Sequence, residues 1–145
     1  MLPGTVFTVE RLDFGKLADA LAALDSHLLA LGDEAVAKKE HVRRAVLGGV
    51  VHAFAIAYEV ARCHIQKRLG KIFGKERTCM ISKRELFSLA EEIRLISDAE
   101  RWIDFHAFRN ASSHNYTGEA LEKCVEIASK FLVEGRILLE RLAND

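Results

Sequence analysis

The sequence is poor in most of the features that mark a specialised class of protein. It has one proline, and its three cysteines, Cys63, Cys79 and Cys124, stand far apart, with no C-x-x-C pair and no histidine cluster of zinc-site type. A disulfide-stapled scaffold is excluded, no metal site is expected, and reduced, mostly buried thiols are predicted. Neither charge is in excess, with 21 basic and 21 acidic residues, so no global field draws the chain to DNA or to acidic lipid. No run approaches the ~20 uninterrupted apolar residues of a membrane span. The first ten residues lack a basic stretch followed by an apolar one, so a cytoplasmic location is expected. No segment alternates with period two, which argues against a sheet.

What remains is helical. Half of the 145 residues are apolar, enough for one hydrophobic core and too few for two, so residues 1–145 are predicted to form a single domain, with 1–9 as an extended N-terminal segment. Leu17, Leu21, Leu24, Leu28 and Leu31 recur at helical spacing until Gly32 stops the pattern. A second run, about 37–69, carries Val42, Val46, Val50, Phe54, Ala57, Ala61, Ile65 and Leu69, and is apolar over more than one stripe, as a buried central helix would be. Gly48 and Gly49 inside it each cost roughly 1 kcal/mol against alanine. Close approach of a neighbouring helix, from this chain or a second copy, would offset that cost. Residues 70–78 read as a loop, and Ser82 with Glu85 and Ser97 with Glu100 match the S-x-x-E capping box. A last helix runs from about Gly118 through Leu121, Val125, Ala128, Leu132 and Leu138. The prediction is an all-α, up-and-down bundle of four to five helices around a long central one.

Charge is segregated along the chain although it sums to zero. Residues 62–84 include Lys67, Arg68, Lys71, Lys75, Arg77 and Lys83 with Glu76 as their only acid, whereas 85–104 are mainly acidic. Two readings stay open: a solvated helix end and loop, or a rim on which Lys67, Arg68 and Lys71 contact the phosphates of RNA.

Between the apolar residues Trp102, Ile103, Phe105 and Phe108 and the last helix lies Arg109-Asn110-Ala111-Ser112-Ser113-His114-Asn115-Tyr116. In a continuous helix Arg109 and His114 would stand about 140° apart, while Asn110 and His114, four apart, would share a face and could hydrogen-bond. Asn110 is thus a candidate to orient the His114 ring. Ser112 and Ser113 favour a turn or a new helix start, which would let Arg109 and His114 converge.

This motif resembles the hallmark of the nucleotidyltransferase substrate-binding proteins of the HEPN superfamily: arginine, a polar residue, three more residues and histidine, with the H-x-Y of His114-Asn115-Tyr116 following. The resemblance extends to residues 10–14, to 54–59 with Tyr58 and Glu59, to 82–86 and to the approach 96–102 ending at Trp102. It departs in the central helix, where Ala55 and Arg62 replace an acidic residue and a tryptophan of the family pattern. Partner contacts through that helix should therefore differ.

The resemblance implies a HEPN-like fold and the toxin half of a toxin-antitoxin pair, a metal-independent endoribonuclease. Cleaving RNA through its own 2′-hydroxyl needs a base, an acid and a fixed cation for the developing phosphorane charge. Arg109 and His114 would be catalytic and Asn110 supporting, since a histidine moves protons near neutral pH and an arginine holds two phosphate oxygens. A homodimer whose two motifs share a cleft would supply both base and acid. The resemblance also implies that a cognate minimal nucleotidyltransferase, using its own ATP and Mg, attaches AMP to Tyr116 and silences the toxin. Tyr116 could equally be a half-buried phenol packing at the start of the last helix. No cofactor is expected in this chain, which lacks a Gly-rich phosphate loop, and no DNA or membrane partner is expected. The alternative reading is a non-catalytic accessory subunit that presents substrate to a separate nucleotidyltransferase. His52, His64 and His106 are read as packing residues, and Trp102, Phe105 and Phe108 as core.

Overall fold

In a computed structural model the backbone is described for residues 3–112 and 118–144, and the side chains for 14–111 and 119–144. Among these residues there are seven helices and no strand: α1 (Pro3–Leu31), α2 (Glu34–Lys38), α3 (Glu40–Phe73), α4 (Lys75–Met80), α5 (Lys83–Glu92), α6 (Ala99–Ser112) and α7 (Gly118–Ala143). The bundle is the predicted one, with α2 and α4 as short additions in its connections.

The long central helix α3 is the axle. Val50, Phe54, Ala57, Tyr58, Ala61, Ile65 and Leu69 have no exposed surface, because α1, α4, α5, α6 and α7 all pack against α3. By length and composition α3 could cross a membrane. Its buried apolar positions, however, are those covered by the neighbouring helices, as in the core helix of a helical bundle. The core centres on Phe131 of α7, which meets Phe54, Trp102 and Phe105 edge to face at centroid distances of 5.4, 5.6 and 5.2 Å. Such pairs add about 0.5–1.5 kcal/mol to what burial alone contributes. Trp102 and Phe105 are thus core residues, as read from the sequence, and Phe108 packs half-buried against the same cluster.

The glycine pair in α3 divides its roles. A methyl group on Gly49 would lie 2.5 Å from the His27 ring of α1, so this glycine marks a close helix crossing, whereas one on Gly48 would meet nothing within 4 Å. Gly135 of α7 is crowded in the same way by Leu21, at 2.7 Å.

Several local expectations are corrected. Residues 3–9 are helical, not extended, because α1 begins at Pro3, where the fixed φ suits a first helical turn. The stretch 70–78 is mostly helix: α3 continues to Phe73 and α4 begins at Lys75, with Gly74 alone, at φ +99°, making the break. Ser82 caps α5 as expected, its Oγ accepting from the Glu85 amide at 3.1 Å. The start of α6 is satisfied instead by Asp98, which accepts from the Glu100 amide, and by Glu91, which accepts from the Ala99 amide. Of the cysteines only Cys124 is buried, while Cys63 and Cys79 are exposed.

Candidate functional site

The carboxy-terminal half of α6 carries Phe105, His106, Arg109 and Asn110. Phe105 is anchored in the core, 2% exposed, so the turn that follows is rigid. The 3.6-residue period then places His106 and Asn110 on one face and turns Arg109 toward α3.

Three polar groups meet there in a row. The Tyr58 hydroxyl, fully buried on α3, lies 2.8 Å from His106 Nδ1, and the other ring nitrogen, Nε2, lies 3.2 Å from the amide nitrogen of Asn110. The Tyr58 and His106 rings sit tilted, 5.7 Å between centroids. Burial, reinforced by the neighbouring Glu59 carboxylate, pushes the Tyr58 hydroxyl above the usual phenol range, against the pull of Arg62 and Arg109. Burial and then the Lys83 ammonium hold His106 below the ordinary imidazole value; Glu59 opposes this, and Arg62 and Arg109 add to it. The neutral form of the His106 ring is thereby favoured.

Beside this row, Glu59 gathers two guanidinium groups. Arg109 Nε lies 3.6 Å from Glu59 Oε1, an ion pair too long for a direct hydrogen bond. Arg62 donates to Glu59 Oε2 at 3.1 Å and to Gln66 Oε1 at 2.8 Å. Arg109 also stands in the last turn of α6, where the helix dipole favours a cation. The carboxylate and the helix end together bias the orientation of the Arg109 guanidinium.

The array continues along α3. Gln66 reaches Cys79 Sγ at 3.7 Å. Beyond it a cavity of about 510 Å³ is lined by Lys67, Arg68 and Lys71 of α3, Lys75 of α4, Phe14 of α1 and Leu142 of α7. Lys67, Arg68 and Lys71 thus share one cavity, and a line of polar contacts through Arg62 and Gln66 joins it to Arg109. Arg68 also donates to the Leu142 carbonyl at 3.2 Å, so part of its role is to tie α3 to the end of α7.

Of the residues singled out from the sequence, the structure brings Arg109 and Asn110 together at the end of α6. His114 and Tyr116 lie outside the described residues, as does any Asn110–His114 contact. His106, read from the sequence as a packing residue, proves to be bonded at both ring nitrogens. Its spacing of four from Asn110 was a visible signal; its pairing with Tyr58, 48 residues earlier, was not.

Comparison with known proteins bears on this arrangement. A probable ribonuclease HepT of Haemophilus influenzae is 24% identical over 102 residues, covering 70% of each chain. A solved structure from Haemophilus influenzae, described as the fold of a substrate-binding domain of a nucleotidyltransferase, superposes with a TM-score of 0.82 at 21% identity over 90% of this chain and 98% of that one. The model of the family described as nucleotidyltransferase substrate binding protein like matches residues 12–144, from within α1 to the end of α7. On that match the chain belongs to the nucleotidyltransferase substrate binding protein-like family.

Proposed function

We propose that this protein is the toxin of a HEPN-type toxin-antitoxin pair, a metal-independent endoribonuclease that acts in the cytoplasm as a homodimer. The observation that carries the reading is Arg109, held by Glu59 on the last turn of α6 with Asn110 beside it, five residues before His114. The relative named a probable ribonuclease supports the same reaction class.

The chemistry is a transesterification. His114 takes the proton from an RNA 2′-hydroxyl, whose oxygen forms a bond to the adjacent phosphorus. The bond from phosphorus to the 5′-oxygen breaks, and His114 of the partner subunit protonates the leaving oxygen. The products are a 2′,3′-cyclic phosphate and a 5′-hydroxyl. Arg109 stabilises the charge that builds on the phosphorane oxygens, and Asn110 supports the site by holding neighbouring groups in place. Lys67, Arg68 and Lys71 carry the flanking phosphates, so RNA affinity should fall steeply with salt. Arg62 adds a cation beside Arg109 where the family pattern has a tryptophan.

In this reading a cognate minimal nucleotidyltransferase transfers AMP from ATP to the Tyr116 hydroxyl, releasing pyrophosphate. The added negative charge and bulk lie two residues from His114 and exclude RNA. AMP incorporation on mixing the two proteins with ATP, lost in Tyr116→Phe, tests this step.

The test of the activity is incubation of the protein and its His114→Ala variant with total RNA and tRNA in EDTA. Cleavage to cyclic phosphate ends by the parent alone supports the assignment. Cleavage by both removes His114 from it. No cleavage by a folded dimer favours the second reading, a non-catalytic subunit that presents substrate to a nucleotidyltransferase, for which the family description and the structural neighbour speak.

A further inference from the structure

Among the described residues the Tyr58 hydroxyl has one hydrogen-bond partner, His106 Nδ1 at 2.8 Å, and Tyr58 has no exposed surface. Its hydrogen therefore has one available acceptor. If Nδ1 carried the imidazole proton, that proton would point at the Tyr58 oxygen and leave the buried hydroxyl hydrogen without an acceptor, which is costly for a group removed from water. If instead Tyr58 donates to Nδ1, the neutral ring carries its proton on Nε2, and Nε2–H points at the Asn110 amide. The amide must then present its oxygen, and since oxygen and nitrogen exchange places by a simple rotation, the 3.2 Å contact accommodates it. That rotation turns the Asn110 NH2 away from His106.

The geometry points to His106 as the positioning residue of the site: Tyr58 donates to Nδ1, Nε2–H donates to the Asn110 amide oxygen, and Asn110 thereby presents its NH2 to an RNA phosphate or ribose oxygen. The inference rests on the ribonuclease reading for its ligand, but the hydrogen-bond register stands on the buried hydroxyl alone. Neither Tyr58 nor His106 touches RNA; each acts through Asn110.

Protonation would undo the register, because an imidazolium donates from both nitrogens and Nδ1–H would meet the Tyr58 hydroxyl hydrogen. The charged groups facing the ring are Lys83 from α5, Glu59 and Arg62 from α3 and Arg109 from α6. Three of the four are cations and oppose protonation along with burial. A histidine whose folded-state pKa is lowered contributes its full stability above the ordinary value of about 6.5 and loses it as pH falls below. The register should therefore hold at neutral pH and fail on acidification.

The decisive measurement is 15N NMR of the His106 ring in the intact protein between pH 5 and 8. The expected result is the Nε2-protonated tautomer at pH 7, with Tyr58→Phe losing the tautomer preference and raising the ring's titration midpoint. A ring protonated on Nδ1 at pH 7, or one whose tautomer and titration ignore Tyr58→Phe, overturns the proposal whether or not the protein cleaves RNA. If the parent does cleave RNA, His106→Phe should lower kcat by about 10–100-fold with a smaller change in KM, as loss of positioning does. His106→Gln, whose amide can accept from Tyr58 and donate to Asn110, should recover part of that loss. Equal kcat in the Phe variant and the parent, with correct folding, would also overturn the positioning role. A parent with the expected tautomer and no ribonuclease activity would sink the function proposed above and leave the register intact.

Discussion

Helix α6 holds its neighbours with two arginines that differ in what they secure. Arg101, near its start, donates to Glu134 of α7 at 2.9 Å, and Glu134 is 6% exposed. Arg109, near its end, lies 3.6 Å from Glu59 of α3, and Glu59 is 40% exposed and shared with Arg62. A carboxylate that has left water must keep its cation or face an uncompensated buried charge, so the first pair is a strut. An exposed carboxylate is solvated either way, and surface pairs contribute little to stability. The second pair therefore orients Arg109 without being needed to hold the bundle together, which suits a group that must also engage a ligand.

Three experiments on or beside α6 sharpen this contrast, and the largest effect belongs to neither arginine. Phe105 lies between them in sequence and packs on Phe131 and Trp102, so Phe105→Ala should cost about 3–5 kcal/mol in urea unfolding. A loss comparable to that of a surface substitution would mean that the aromatic cluster does not anchor α6, and the rigidity argued for the Arg109 turn would go with it.

Next comes Arg101→Ala, which strands Glu134 in a nearly dry position. The expected cost is about 1–3 kcal/mol, the penalty of a buried polar group stripped of its partner, and stays below that of breaking a fully buried pair because Arg101 is itself half exposed. Replacing both residues, with Glu134→Leu added, should recover most of the loss, since a buried pair is often replaceable by apolar packing. Failure of the double variant to recover would make Arg101 a packing residue and dissolve the contrast with Arg109.

Much of this architecture was legible in the sequence because it depends on period. The apolar spacing of 17–31 and 42–69 comes from helices covered on more than one side, and the structure buries Leu17, Leu21, Leu24, Phe54, Ile65 and Leu69 accordingly. The glycine pair in α3 signalled a close crossing before the neighbour was known, and His27 at Gly49 is that neighbour. Short-range competition was harder to read. Ser82 and Ser97 begin equally good capping boxes, yet Asp98 supplies the α6 cap and Glu91 reaches it from eight residues away, a contact that exists only once α5 and α6 are packed. The same limit applies at the site. Arg109 and Asn110 could be found from their motif, but the roles of Glu59, Arg62 and His106 depend on α3 lying beside α6, which no local spacing encodes.

The smallest expected effect is the one that tests the functional side of the contrast. In a double-mutant cycle of Glu59→Gln and Arg109→Gln, the coupling in stability should be about 0.2–1 kcal/mol, as for other exposed ion pairs, and should shrink in high salt. The sign of the single variants is informative too. Glu59→Gln leaves Arg62 and Arg109 near each other without their shared anion, so it should cost slightly more than Arg109→Gln, which leaves Glu59 still paired with Arg62. RNA binding should rank them in the opposite order, because Arg109→Gln removes the proposed phosphate ligand while Glu59→Gln removes only what aims it. A coupling well above 1 kcal/mol would make the Glu59–Arg109 pair a second strut like Arg101–Glu134, with an arginine too committed to its carboxylate to serve a phosphate.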